Sequence, residues 1–314
     1  MTSDLHVVLG AGPLGRSVVE ALVAQGKAVR VASRSGRMPE APQDVEVVAA
    51  DLYDPAAVRS VAGGAAAAYQ CAQPHYHEWP RKFPPLQAAI IEGMSGTGTR
   101  LVLAENLYLY GETDSPLRED LPYAAGTRKG RVRAAMAEEA LAAHRAGRVP
   151  VAIARGSDFY GPWVLDSAFG DRVFYPALAG KAASFAGKLD IPHSITYIGD
   201  FGRALALLGE REEALGRAWH VPNDCPEITQ RQFAQLIFDA LGAAPEVGSV
   251  NRAMMSLAGL FVPGARETVE MMYEFEQPFV VDSGQFQRTF GMRPTPLAEG
   301  VSRTLAWYRA HPAR

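Results

Sequence analysis

The run Leu5-His6-Val7-Val8-Leu9, followed at once by Gly10-Ala11-Gly12-Pro13-Leu14-Gly15, constrains this chain more than any other feature. A short continuous apolar run reads as a buried parallel strand, and the pattern beyond the glycines, Ser17-Val18-Val19-Glu20-Ala21-Leu22-Val23-Ala24, has helical spacing. Strand, glycine turn and helix in that order make a phosphate-holding βα unit. Gly10 permits the tight turn, Gly12 lets the backbone approach a pyrophosphate, and Gly15 lets the helix pack closely on the strand. Pro13 and Leu14 complete the loop, and the pyrophosphate of a dinucleotide would rest on the helix N-terminus.

Residues 28–32 read as a second strand that runs into Ser33-Arg34-Ser35-Gly36-Arg37. A chain selecting NAD would place a carboxylate there to accept from the ribose 2′-hydroxyl. None is present. Arg34, with Ser33 and Arg37, instead suits a 2′-phosphate, so NADP(H) is expected ahead of NAD.

Strand and helix patterns keep alternating: strands over 45–50, 65–70, 100–104 and 149–155, helices over 55–62, 84–92 and 128–145. That alternation predicts an α/β fold, a Rossmann-type doubly wound parallel sheet with a smaller C-terminal substrate-binding region. Residues 1–165, joined again by 195–222, are expected to form the dinucleotide-binding domain, and 166–194 with 223–314 the substrate-binding region. The chain has 314 residues, 48% hydrophobic and 21% charged, enough to bury a large core. A net charge of −3 gives no reason to expect nucleic acid or an anionic membrane as partner. The two cysteines, Cys71 and Cys225, fit a reducing compartment, and the early first strand leaves no room for a leader, so the expected address is the cytoplasm. A small-molecule substrate is the expected partner. Met254, Met255, Leu257, Leu260, Phe261, Met271, Met272, Phe275 and Phe279 would line its pocket or serve core and homodimer packing.

Several motifs in order resemble the short-chain dehydrogenase/reductase superfamily, in its extended or atypical, epimerase/dehydratase-like branch. After the glycine motif, Asp51-Leu52 resembles the family's adenine contact, and Leu109-Tyr110-Gly111 its V-Y-G. Arg155 through Tyr160-Gly161-Pro162 is similar to its L-R-x-x-x-x-Y-G-P, and residues 195–204 and 218–223 match later segments. The resemblance implies a nicotinamide-dependent oxidoreductase that uses a Tyr general acid/base, a Lys four residues later and a Ser that polarises the carbonyl.

Here the sequence departs from that pattern. If Lys129 is the family lysine, the tyrosine position falls on Ala125 and the serine position on Asn106. Helical spacing puts Lys129, Val132, Arg133, Met136 and Ala140 on one stripe, which predicts an inward Lys129 and leaves Arg133 as a helix-surface charge. Lys129, Asn106 and Tyr110 are the catalytic candidates. Tyr110 and Tyr108 are expected on one face at the end of the fifth strand. Tyr108, Tyr160, His75, His77 and His193 are the substrate-pocket candidates. Tyr123 would turn away if its segment is helical. The H-x-H of His75 and His77 lacks further ligands nearby, so no metal is expected.

The leading expectation is an NADP(H)-dependent oxidoreductase acting on a small, rather apolar carbonyl compound. The alternatives are a noncatalytic, redox-sensing dinucleotide-binding regulator and a sugar-nucleotide epimerase or dehydratase. The missing Ser and Tyr favour the regulator. The lack of a basic cluster in the C-terminal part tells mildly against a sugar nucleotide.

Overall fold

The computed structural model describes residues 4–313. Two compact units are built from interleaved stretches of chain: one takes the chain as far as Leu109, then Arg128–Arg155 and Phe201–Trp219, and the other takes Tyr110–Thr127, Gly156–Asp200 and the chain from His220 onward. Residues 110–127, placed with the dinucleotide-binding part by the sequence pattern, thus belong to the second unit.

In the first unit, β1 (Leu5–Leu9), α1 (Pro13–Ala24), β2 (Ala28–Ser33), β3 (Val45–Ala49), α2 (Pro55–Ala62), β4 (Ala67–Gln70), α3 (Trp79–Met94), β5 (Arg100–Glu105), α4 (Arg128–Arg145) and β6 (Val151–Arg155) follow one another. Then come β7 (Phe159–Tyr160), α5 (Asp171–Leu178), β8 (Ala183–Ala186), β9 (Thr196–Tyr197), α6 (Ile198–Glu210), β10 (Ala218–His220), α7 (Gln230–Leu241) and β11 (Val247–Val250). The chain ends in α8 (Arg252–Ala258), α9 (Pro263–Thr268), α10 (Gly284–Phe290) and α11 (Leu297–Ala310). Seven strands make a parallel sheet in the order β10-β6-β5-β4-β1-β2-β3. This is the expected doubly wound α/β fold, with Val7, Val8, Val31, Tyr69, Val102 and Ile153 fully buried in it.

The order reverses between β1 and β4, so the crevice outside the carboxyl ends of those two strands is the topological switch point, where folds of this kind bind ligands. The loops after β1 and β4 meet there. In the second unit an aromatic core gathers Tyr160, Phe169, Phe174, Phe185, Phe233 and Tyr308. Of the expected pocket-or-packing set, Met255, Met271, Met272, Phe275 and Phe279 are buried, while Met254, Leu257, Leu260 and Phe261 are exposed.

One helix assignment needs correction. α3 starts at Trp79, not at residue 84, and runs through Pro84 and Pro85. It forgoes two hydrogen bonds there because Trp79, Phe83, Leu86 and Ile90 bury one face. Residues 122–126, just before α4, carry no helix, so Tyr123 and Ala125 are not helical.

Candidate functional site

The glycine turn is built as its residues require. Gly10 has φ +118°, and a Cβ there would come within 2.6 Å of the Ala72 nitrogen in the loop after β4. A Cβ on Gly15 would lie 2.0 Å from the Gly10 carbonyl oxygen. Gly12 differs: nothing lies within 4 Å of the place its Cβ would occupy. That open space sits before the N-terminus of α1, which has Pro13 at its start, no side-chain cap and no acidic residue in its first turn. The first-turn amides of Leu14 and Gly15 have no intrahelical acceptor, and the positive end of the helix dipole faces the same way. The space and its donors fit a diphosphate.

Beyond β2 the Ser33 hydroxyl is engaged by its own turn. It donates to the Arg37 carbonyl at 3.1 Å and accepts from the Arg37 amide at 3.2 Å. Its role is to shape the loop that presents Arg34, which is exposed. Asp51 is also exposed and accepts from the Tyr53 amide at 3.0 Å, while Leu52 is buried beside it. Arg16, just after the motif, is buried, and burial pushes its guanidinium below the usual range against the pull of Glu40 and Glu20.

Lys129 is fully buried, and its Nζ lies 4.5 Å from the centroid of the Tyr76 ring. Tyr76 comes from a short 3-10 turn, Tyr76–Glu78, that leads into α3. Its hydroxyl is 3.4 Å from that of Tyr108, and Trp79 meets its ring edge-on at 5.0 Å. α4 is held against α3 by the Gln87 amide, which donates to the Met136 carbonyl at 2.7 Å. Asn106 is half-buried at the end of β5, where its Oδ1 accepts from the Tyr108 amide at 3.4 Å.

Arg133 is not a surface charge. It is buried with its guanidinium 3.5 Å from Glu105 Oε1 and 4.6 Å from the Phe83 centroid, and Arg155 Nε donates to Glu105 Oε2 at 3.1 Å. Burial pushes the Arg133 guanidinium down, and the Glu105 carboxylate opposes that shift. Glu105 carries no motif in the sequence. Only its register opposite Arg155 in the sheet reveals it.

Other sequence candidates are placed differently from expectation. Tyr108 and Tyr110 sit in one 3-10 turn rather than on a strand, so they do not share a face. Tyr110 is buried, 2.8 Å from His220 Nε2, and His220 Nδ1 lies 3.0 Å from the Asp282 carbonyl oxygen. The carbonyl accepts from Nδ1–H, so Nε2 accepts the phenolic proton. That commits Tyr110 to structure. Tyr160 is likewise buried, its ring against Tyr197 and Phe233, with burial raising its phenol well above the usual range. It lines no pocket.

His193 is wholly buried, stacked between Phe275 and Phe279. Its Nδ1 lies 3.0 Å from the Glu274 carbonyl oxygen and its Nε2 3.0 Å from the Asp158 carboxylate. Both ring nitrogens thus face oxygen acceptors. The Glu274 side chain is buried too, with Oε1 unbonded, and burial together with the charge on Asp158 pushes its carboxyl well above the usual range. His75 and His77 are exposed and stack on each other at 6.0 Å, while Tyr76 between them is half-buried.

A glycine turn at the switch point of a doubly wound parallel sheet defines the class, an α/β protein of Rossmann type. The chain belongs to the NAD dependent epimerase/dehydratase family, whose model matches residues 6–221. Solved structures share the fold over nearly the whole length. A UDP-glucuronic acid 4-epimerase from Bacillus cereus, in complex with UDP-glucuronic acid and NAD, is 16% identical with a TM-score of 0.78 over 98% of this chain and 99% of that one. A dTDP-glucose 4,6-dehydratase from Streptomyces venezuelae, with NAD bound, is 22% identical with a TM-score of 0.75 over 98% and 97%. A UDP-N-acetylglucosamine 4-epimerase from Methanobrevibacter ruminantium is 15% identical with a TM-score of 0.80 over 99% and 100%. No curated protein matches the chain in sequence. No helix among the described residues is long and apolar enough to cross a membrane.

Proposed function

We propose that this chain is a nicotinamide-dinucleotide-dependent enzyme that reversibly oxidises a hydroxyl-bearing carbon. Nucleotide-linked sugars of the kind named for its structural relatives are the first substrates to test, ahead of small apolar carbonyl compounds. The observation that carries the reading is the open space at Gly12, before an uncapped helix N-terminus and beside the β4 loop. The bound nicotinamide supplies the hydride acceptor and donor.

The chain supplies the rest. Leu14 and Gly15 amides hold the diphosphate, Asp51 and Leu52 flank the adenine end, and Arg34 meets the ribose. With no carboxylate beside it, Arg34 favours a 2′-phosphate, so NADP(H) is the proposed cofactor even though two of the relatives cited hold NAD. Lys129 provides a buried positive charge near the reacting end.

The absence of the expected tyrosine and serine, replaced by Ala125 and Asn106, supports a second reading, a dinucleotide-sensing regulator. One experiment separates the two. The chain is incubated with NADP⁺ or NAD⁺ and a panel of UDP- and dTDP-sugars, ketones and aldehydes, scored by nicotinamide absorbance and by proton exchange into the sugar. Turnover of any member supports the enzyme. Tight, redox-selective binding without turnover supports the regulator.

A further inference from the structure

The expected general acid/base is missing from the sequence, yet the structure assembles a phenol beside Lys129 from other elements. We propose that Tyr76, on the loop after β4, is the proton-carrying phenol of this site, with Lys129 on its ring face as the group that activates it. The assignment rests on the proposed dinucleotide-dependent activity.

Placement comes first. β4 borders the switch point, and the loop that follows it packs Ala72 against Gly10 and then delivers Tyr76. α4 brings Lys129 to the same place, its Nζ 4.5 Å from the ring centroid. Lys129 is fully buried, whereas Tyr76 is half-buried, so the phenol rather than the ammonium reaches a reactant.

Electrostatics points the same way. A cation over an aromatic face is attracted by the ring, and more strongly once negative charge is delocalised into that ring, so Lys129 favours the phenolate. The Tyr76 hydroxyl donates to that of Tyr108 at 3.4 Å, and once Tyr76 has given up its proton the Tyr108 O–H can turn to donate to the phenolate. Trp79 packs edge-on against Tyr76 at 5.0 Å and donates its Nε1–H to the Pro74 carbonyl at 3.2 Å, which fixes the ring. The charged and titratable groups on the surrounding elements are Lys129 and Arg133 of α4, Glu105 of β5, Tyr108, and His75, His77 and Glu78 beside Tyr76 itself. Lys129 lies over the ring, and Glu78 is engaged by Lys82.

The step assigned to Tyr76 is a proton transfer alone. Its phenolate oxygen takes the proton of a substrate hydroxyl as that carbon gives up a hydride to the dinucleotide, leaving a carbonyl. The phenol returns the proton when the hydride returns.

The test titrates tyrosine ionisation by ultraviolet absorbance in the cofactor-free chain and in Tyr76→Phe, Lys129→Met, Tyr108→Phe and Tyr123→Phe. The expected parent shows one phenol ionising before the other ten of its 11 tyrosines. That step disappears in Tyr76→Phe, moves to higher pH in Lys129→Met and survives in Tyr123→Phe. Phe keeps the ring under Lys129, so the fold is retained. Where a substrate is in hand, Tyr76→Phe lowers turnover about 100-fold or more with cofactor affinity unchanged. No early step in the parent, an early step that survives Tyr76→Phe, or loss of turnover in Tyr123→Phe alone would overturn the assignment. Failure to bind any dinucleotide overturns the functional reading without altering the titration, so the two failures are told apart.

Discussion

Glu105 and Arg155 stand opposite each other in register at the ends of β5 and β6, carboxylate to guanidinium at 3.1 Å, both side chains shut off from water. Arg133 reaches the same carboxylate from α4, so one buried anion serves two cations. Removing one partner of such a group leaves uncompensated buried charge. Glu105→Gln, equal in size but neutral, should cost about 3–5 kcal/mol of stability. Urea unfolding of parent and variant measures it, and a loss under about 1 kcal/mol would mean that the pair is solvated and makes no structural demand.

The glycine turn predicts opposite outcomes for two variants three residues apart in sequence. Gly15→Ala drives a methyl into the Gly10 carbonyl and should destabilise the fold. Gly12→Ala meets nothing in the protein, so its stability should stay within about 0.5 kcal/mol of the parent while dinucleotide binding weakens sharply. Thermal unfolding and a binding titration on both variants check the pair. Equal behaviour of the two would show that the open space at Gly12 is not a ligand cradle.

Tyr110→Phe should cost about 1–3 kcal/mol of stability by leaving His220 Nε2 without its donor. Turnover should stay near the parent value. A large fall in turnover at full stability would return Tyr110 to the chemistry.

Glu274 makes stability depend on pH. Its carboxyl is held above the usual range in the folded chain, so the native state keeps a proton that the unfolded chain releases. The stabilisation is therefore complete below the unfolded value and is lost as pH rises toward the folded one. Between about pH 5 and about pH 8 the parent should lose stability relative to Glu274→Gln, whose side chain stays neutral throughout. Chemical unfolding at both pH values tests this, and parallel pH profiles would refute it.

Much of the fold was legible because its signals are local. Strand β1 and helix α4 have the bounds that apolar runs and spacing predict. The glycine motif needed only its neighbours in sequence. The reactive region was less legible because it is made of distant pieces. Pro84 and Pro85 pointed to a later helix start, which hid the Tyr76, Trp79, Phe83 stripe, and the paired histidines drew attention to the two exposed positions of that loop. The stripe's spacing of three and four residues was the available signal. Glu105 and Arg155 could not be joined without the sheet register, and His193 is expected in a pocket from sequence because burial among aromatics cannot be read from Ile191-Pro192-His193-Ser194.

The proposed function seats a nicotinamide dinucleotide in the Gly10–Gly15 turn with its 2′-phosphate on Arg34. Calorimetric titration of the parent and of Arg34→Glu with NADPH and NADH tests it most directly. The parent should bind NADPH more tightly than NADH, and Arg34→Glu should lose about tenfold or more in NADPH affinity, roughly 1.4 kcal/mol, with NADH little changed. Tighter binding of NADH by the parent, or equal loss of both in the variant, would contradict the 2′-phosphate assignment. No binding of either would contradict the cradle itself.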